Sequence, residues 1–192
     1  AWATAVAGGP FGPVRRKPVS PTGRRYPRET PVATAPAHRF LAAGGAGGGP
    51  ALLAPGFFEY EHDSAGDLTV TLLRCVGQLS AERLPTRPGH AGWPTPTPGA
   101  QCLGPFAGTF AVLLHGARDD ATIDLIERVA DDVLLPLAGG TLRSALAMPQ
   151  PTRGVELLGE GLSLSTAKES EDGEWLVLLA VNLLDRLVEG VW

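Results

Sequence analysis

Backbone punctuation constrains this chain more than any other feature. Glycine (25) and proline (18) together occur at about twice their usual frequency in the 192 residues, and they fall between almost every pair of apolar runs. Proline fixes φ and lacks an N–H, and glycine favours no one backbone region. Such a chain has few stretches free to wind into a helix, and short strands joined by turns are what remains. One stretch escapes. Asp119 to Leu135 holds neither residue; Ile123, Ile126, Ala130 and Val133 recur along one side, acids crowd its start and Pro136 follows its end. It is the one helix the sequence predicts.

The strand reading rests on period two. The segment Leu68 to Val76 predicts the clearest strand, with Leu68, Val70, Leu72 and Val76 on one face and Thr69, Thr71, Leu73 and Cys75 on the other. Arg74 falls on the apolar face, where an unpaired guanidinium does not belong, so it requires a carboxylate, a bulge or a cleft. Further strands are predicted at His38 to Ala43, Ala51 to Ala54, Phe57 to Glu61, Thr109 to His115, Val155 to Leu158, Gly161 to Thr166 and Trp175 to Leu183, with another opening at Leu187. The Gly-rich stretch 44–49 reads as a hairpin loop, because Pro50 and a strand come after it where a phosphate cradle needs a helix. Ser64 to Asp67 and Ser170 to Gly173 read as turns. Residues 77–105 form a long Pro/Gly loop around Arg87-Pro88-Gly89-His90-Ala91-Gly92-Trp93-Pro94, and loops of that length often carry function. Mostly β with one helix, the pattern argues a sandwich of antiparallel sheets.

Composition excludes more than it selects. The formal net charge is -4, which leaves no electrostatic reason to expect nucleic acid or an anionic membrane as partner. The one basic cluster, Arg15, Arg16, Lys17, Arg24, Arg25 and Arg28, has few interleaved aromatics and reads as a solvated linker. No apolar run reaches the length of a membrane span. Cys75 and Cys102 are the only cysteines; they fit free thiols in a reducing compartment better than a disulfide. The chain starts at Ala1 without a methionine or signal-type core and stops at Trp192 straight after a predicted strand, so both ends are read as cuts.

Chemistry-bearing patterns are few. His38, His62, His90 and His115 make no metal-ligand spacing with one another or with a cysteine. His62, Asp63 and Asp67 read as a turn before they read as a metal corner, and His115 as a capping or surface residue. Carboxylates cluster in turns and on the helix, where solvation and the helix dipole explain them, and no activated-serine elbow is present. The residues alone describe a domain that supports or binds, with no catalytic and no metal-ligating residue of its own.

The run Leu68 to Gly77, continued by Thr86-Arg87-Pro88-Gly89-His90-Ala91-Gly92 and Pro98-Gly99-Ala100-Gln101-Cys102-Leu103-Gly104, resembles the post-catalytic region of bacterial members of glycoside hydrolase family 38, the α-mannosidases. Phe11 to Arg16, Glu29 to Phe40 and Leu52 to Gly56 are similar to the strands that precede it. Gly161 to Ser165, Glu171-Asp172-Gly173 and Leu176 through Gly190 are similar to the strand pair that opens the family's last β-domain. The resemblance covers nearly the whole chain in order; the ordered set carries it, since no single motif does.

The resemblance implies a three-part parent: an α/β barrel, a helical bundle and C-terminal β-sandwiches, cleaving α-mannosides with retention through a carboxylate nucleophile and a divalent metal, usually zinc. The family's His-x-Asp motif, nucleophile and metal ligands match no position here, so the fragment by itself is expected to be inactive, and its partners would be the catalytic barrel and helical bundle together with an α-mannoside. The resemblance further implies a galactose-mutarotase-like sandwich over residues 31–168, a linker or incomplete strand over 1–30, the start of a further small β-domain over 169–192, and a bacterial cytoplasmic location. Arg74 resembles the arginine that the family brings from a β-region strand end to the sugar cleft. Arg87, His90 and Gln101 are weaker candidates for lining it. Eukaryotic members carry paired arginines where Cys75 stands. The alternatives are a free-standing carbohydrate-binding module, for which Trp93 is the one plausible stacking aromatic, and a structural or oligomerisation domain, which requires Arg74 buried against a protein acid.

Overall fold

Short apolar runs between turns fold back on one another, and every pairing among the described residues is antiparallel. The computed structural model describes residues 4–19, 29–56, 59–89, 91–117, 119–136 and 154–192. In chain order the elements are β1 (Ala5–Ala7), β2 (Val14–Arg16), β3 (Thr34–Pro36), β4 (Phe40–Ala43), β5 (Gly49–Leu53), β6 (Glu59–His62), β7 (Leu68–Val70), β8 (Arg83–Leu84), β9 (Arg87–Pro88), β10 (Ala111–His115), α1 (Asp120–Leu134), β11 (Leu162–Glu169) and β12 (Leu176–Asn182). A five-stranded sheet has the order β10-β5-β4-β1-β2 and a three-stranded sheet the order β3-β6-β7.

Alternation along the strands builds a three-layer arrangement. Val6, Phe40, Ala42, Ala51 and Leu53 point from the five-stranded sheet toward Ile123, Ile126 and Ala130 of α1. Their neighbours Ala5, Ala7 and Leu41 point the other way, toward Tyr60 and the half-buried Leu68 and Val70 of the smaller sheet. Alanines on that inner face leave room for Tyr60, which is fully buried. The two sheets facing across this layer make the antiparallel sandwich, and α1 closes its outer side. Along α1, Val129 and Leu134 complete the packed face, whereas Val133 is about half exposed. The helical period places the stripe correctly for three of its four members.

The hairpin between β4 and β5 requires glycine at one position in particular. Gly48 has φ +95, and a Cβ there would lie 2.1 Å from the backbone oxygen of His115. Any side chain would push β10 away from β5, where Gly49 pairs with His115.

Several elements differ from their sequence reading. The strand predicted to run from Leu68 to Val76 ends at Val70. The ladder with β6 closes with the bond from Thr71 N to Glu59 O (3.1 Å), and the backbone bends at Leu72. Val155 to Leu158 forms no strand; Leu158 makes a single bridge to Val191. β1 and β2 lie within residues 1–30, and β1 is hydrogen-bonded on both sides in the five-stranded sheet. Residues 168 and 169 fall inside β11, which pairs with β12 as one hairpin. His115 is buried, with Nδ1 2.7 Å from Gly116 O, because β5 and the glycine turn cover the end of β10. Arg16 of the basic cluster donates to Pro36 O (2.8 Å); Arg24, Arg25 and Arg28 lie outside the described residues, as does Phe57.

Asp119 caps α1 by accepting from Thr122 N at 2.8 Å. That hydrogen bond is the main cause holding the Asp119 carboxyl below its ordinary 3.8. A depressed folded value means the ionised cap contributes stability above the unfolded value, and this is lost as pH falls through the folded one. Asp119→Asn keeps an acceptor and removes the charge. Melting temperatures recorded from pH 2 to 6 should therefore converge on the wild type at the acid end and fall below it at pH 6; parallel curves would rule the cap out as a source of the acid sensitivity.

Candidate functional site

Past Val70 the chain leaves the sheet, and the Glu59 carboxylate organises the segment Thr71 to Arg74. Tyr60 pairs with Val70, so Glu59 stands opposite Thr71. The Glu59 carboxylate accepts from Thr71 Oγ1 (3.0 Å) on one oxygen and from Arg74 Nη1 (3.4 Å) on the other. Arg74 is thus paired, as its place among apolar residues required, yet its side chain is 73% exposed. Its alternation with apolar neighbours does not make it a core residue, because the segment carrying it has left the sheet.

Two grooves meet at Arg74. The first, about 720 Å³, runs between the end of β5 (Ala54 to Gly56), the segment Thr71 to Arg74 and the segment Phe106 to Phe110. Glu59 and Thr71 supply polar groups to it, and Phe106 and Phe110 are both exposed. The second, about 780 Å³, is lined by Arg74, Gln78, Leu79, Leu84, Arg87 and Trp93 among others.

The long Pro/Gly loop that walls the second groove is not structureless. Leu79 N donates to Thr95 O (3.0 Å), Thr97 N to Gly77 O (2.9 Å), and Gly89 N to Glu82 O (2.8 Å) around the β8–β9 pair. These bonds fold residues 76–100 back on themselves and present Arg87 toward the groove. Arg87 Nη1 is 3.9 Å from Glu29 Oε1. Its Nε is buried with no hydrogen-bond partner among the described residues.

The structure therefore brings Arg74 and Arg87 to one groove. Gln101 ends a short 3-10 turn and lies beside Gly77, outside the walls of both grooves. His90 lies outside the described residues. Cys75 and Cys102 are free and exposed. Asp63 accepts from Asp67 N at 2.9 Å, an ordinary turn contact, and no group of three His, Cys, Asp or Glu side chains among the described residues is placed to hold a metal ion. No described helix is long and apolar enough to cross a membrane.

One cluster escapes the sequence reading altogether. Arg39 has φ 71, and its guanidinium donates to Asp131 and stands 3.2 Å from Glu127, both on α1. Burial pushes the Glu127 carboxyl above its ordinary 4.5; Arg39 opposes the rise and Asp131 adds to it. A raised folded value favours the protonated form, so its contribution to stability is fully present below the unfolded value and is lost as pH rises through the folded one. Glu127→Gln mimics the protonated carboxyl. It should melt higher than the wild type at pH 7, with the difference closing toward pH 4; an equal or lower melting point at pH 7 would contradict the sign. The ion pair spans 88 residues, and no local pattern announces it.

No protein-family model matches the chain. A protein of Halalkalibacterium halodurans named "Putative mannosylglycerate hydrolase" is 32% identical over 127 residues, which are 66% of this chain and 13% of that protein. A glycosyl hydrolase family 38 protein from Enterococcus faecalis superposes with a TM-score of 0.70 at 24% identity, over 98% of this chain and 20% of that one. An alpha-mannosidase from Enterococcus faecalis V583 does so with a TM-score of 0.70 at 25% identity, over 94% of this chain and 19% of its own. The chain thus spans a fifth or less of the length of these proteins. In fold this chain is similar to a segment of the glycosyl hydrolase family 38 protein and of the alpha-mannosidase, and in sequence about two thirds of it is similar to a segment of the Halalkalibacterium halodurans protein.

Proposed function

We propose that this chain is a non-catalytic C-terminal β-sandwich part of a glycosidase that hydrolyses terminal α-mannosides, where it buttresses the catalytic barrel and lends one wall to the sugar cleft. A mannosyl group is common to the names of the curated relative and of the solved mannosidase. The observation that carries the reading is Arg74. It meets Glu59 at a strand end and stands at the meeting point of two grooves with most of its side chain exposed. An internal structural role would bury that side chain against its acid. A guanidinium held on one side and open on the other suits sugar hydroxyls and carboxylates.

A divalent metal, usually zinc in this reading, belongs to the parent's barrel. In this reading the chain's own residues position and enclose the sugar. The parent's location in the bacterial cytoplasm is part of the same proposal, and two free, exposed thiols accord with a reducing compartment.

The test is an assay of the parent protein on an aryl α-mannoside. The parent should release the aglycone from the α-anomer and not the β-anomer, lose at least about tenfold of its rate on chelation and regain it with added zinc. The 192-residue chain alone should release none. A parent inactive on α-mannosides with zinc present would overturn the assignment, and aglycone release by the chain alone would overturn its non-catalytic part.

A further inference from the structure

The long Pro/Gly loop returns to its starting point through a short ladder. Leu79 N donates to Thr95 O (3.0 Å), Thr97 N to Gly77 O (2.9 Å) and Val76 N to Ala100 O (3.3 Å), with an antiparallel bridge between Gln78 and Pro96. Thr97 Oγ1 adds a bond to Val76 O (3.1 Å), and a Cβ placed on Gly77 would lie 3.5 Å from Gln101 Nε2. Among the described residues, the Val76–Ala100 bond is the last of this ladder at its open end. Just beyond it stand Cys75 on one side and, after Gln101, Cys102 on the other. These are the chain's only cysteines, and both are free and exposed.

Cys102 is also held in an uncommon backbone conformation. It ends the short turn Pro98–Gln101 with φ 49 and ψ 42, in the left-handed region that favours glycine. Among the described residues, Arg39 and Cys102 are the two other than glycine with positive φ. Ion pairs to Glu127 and Asp131 tie Arg39 in place, whereas the thiol of Cys102 is exposed. A side chain kept at such a position points to a use for that side chain.

We infer that Cys75 and Cys102 are a site of reversible oxidation, at which a disulfide clips the base of the loop that carries Arg87 and Trp93. A reducing compartment keeps both thiols free. When a low-molecular-weight disulfide accumulates, one cysteine thiolate attacks one of its sulfurs, forming a mixed disulfide and releasing one small thiolate. The other cysteine thiolate then attacks the protein-side sulfur and releases the second. Two protein thiols are oxidised, one small disulfide is reduced to two thiols, and the two thiol protons end on the departing thiolates. The new bond closes residues 76–101 into a ring and removes open conformations of that segment. Arg74 directly precedes Cys75, and Arg87 and Trp93 lie inside the ring, so the clip fixes three of the side chains that line the second groove.

The experiment places the parent protein in mixtures of oxidised and reduced glutathione and alkylates the free thiols before digestion. Trypsin cuts after Arg74 and Arg83, which puts the two cysteines on separate peptides. A cross-link between those peptides should form as the oxidised fraction rises, reverse with dithiothreitol, and be absent in Cys75→Ser and in Cys102→Ser. Each variant should instead collect a mixed disulfide with glutathione on its remaining cysteine. In the folded parent, oxidation should slow tryptic cutting at Arg83, which is exposed, at least about fivefold, and Cys102→Ser should cancel that protection. Mixed disulfides on both wild-type cysteines without a cross-link would overturn the inference, as would a cross-link that joins two molecules. An internal cross-link that leaves cutting at Arg83 unchanged would also overturn it, because the bond would then not clip the loop. None of these readouts depends on turnover, so the inference stands or falls apart from the mannosidase reading.

Discussion

Replacing Arg39 by methionine is expected to lower the free energy of unfolding by about 2–3 kcal/mol at pH 7. The Arg39 side chain is 27% exposed and the Glu127 side chain 9%, so removing the cation strands a nearly buried carboxylate. Methionine matches the aliphatic stem, which limits the packing loss, but removes the side-chain ion pairs that help hold the left-handed backbone at position 39. Asp131, 37% exposed, is solvated and softens the cost, which is why the figure lies below that of a fully buried pair. The effect should reach the groove as well. Ala54, whose N–H donates to Arg39 O at 3.0 Å, lines the first groove beside Pro55 and Gly56. Urea denaturation at pH 7 and pH 4.5 provides the check: the loss should be smaller at the lower pH, where Glu127 takes up a proton. A loss under about 0.5 kcal/mol at pH 7 would show that the cluster is solvated and of little weight.

Arg74→Ala in the parent protein is expected to lower kcat/KM on an α-mannoside by about 10–100-fold, equivalent to about 1.4–2.8 kcal/mol of transition-state stabilisation. The effect is one of positioning. Glu59 holds the guanidinium from one side through the same carboxylate that fixes Thr71, so the free edge of Arg74 is oriented before substrate arrives and little side-chain entropy is lost on binding. Glu59→Gln should therefore give a smaller loss of the same kind, expressed in KM more than in kcat. Because Arg74 is exposed and makes one long ion pair, its removal should leave the melting temperature of the parent within about one degree. Unchanged kcat/KM would remove Arg74 from the sugar cleft. A collapse of both activity and melting temperature would instead make it a structural residue.

Period-two alternation and turn chemistry make the sandwich legible. The turn read at Ser64 to Asp67 joins β6 to β7, and that register places Glu59 opposite Thr71. The carboxylate that Arg74 needs is therefore within reach of the sequence, although alternation and turn chemistry do not single it out among the acids nearby. The helix is legible in its bounds and in three of the four members of its stripe, because a stretch free of glycine and proline with a 3.6-residue period has one stable answer. The strand after Leu68 is shorter than its pattern because alternation records only a preference for extended backbone, whereas a ladder also needs the chain to stay beside its partner, and the backbone bends at Leu72.

What the sequence determined by itself, then, was local: where the chain turns, which faces are apolar, that one helix forms, and a resemblance carried by motifs in fixed order. The tertiary structure alone decided the non-local partners. β1, from a stretch rich in glycine and proline, became an inner strand because β2 and β4 flank it on both sides. Arg39 found Glu127 and Asp131 only once α1 had packed across the sheet. Arg74 and Arg87 came to share one groove because the loop between them folds back through its own backbone hydrogen bonds. Each of those contacts depends on closing a loop between residues far apart in the chain. No periodicity encodes which distant surfaces will meet, because that is settled by the sum of burial and pairing over the whole fold.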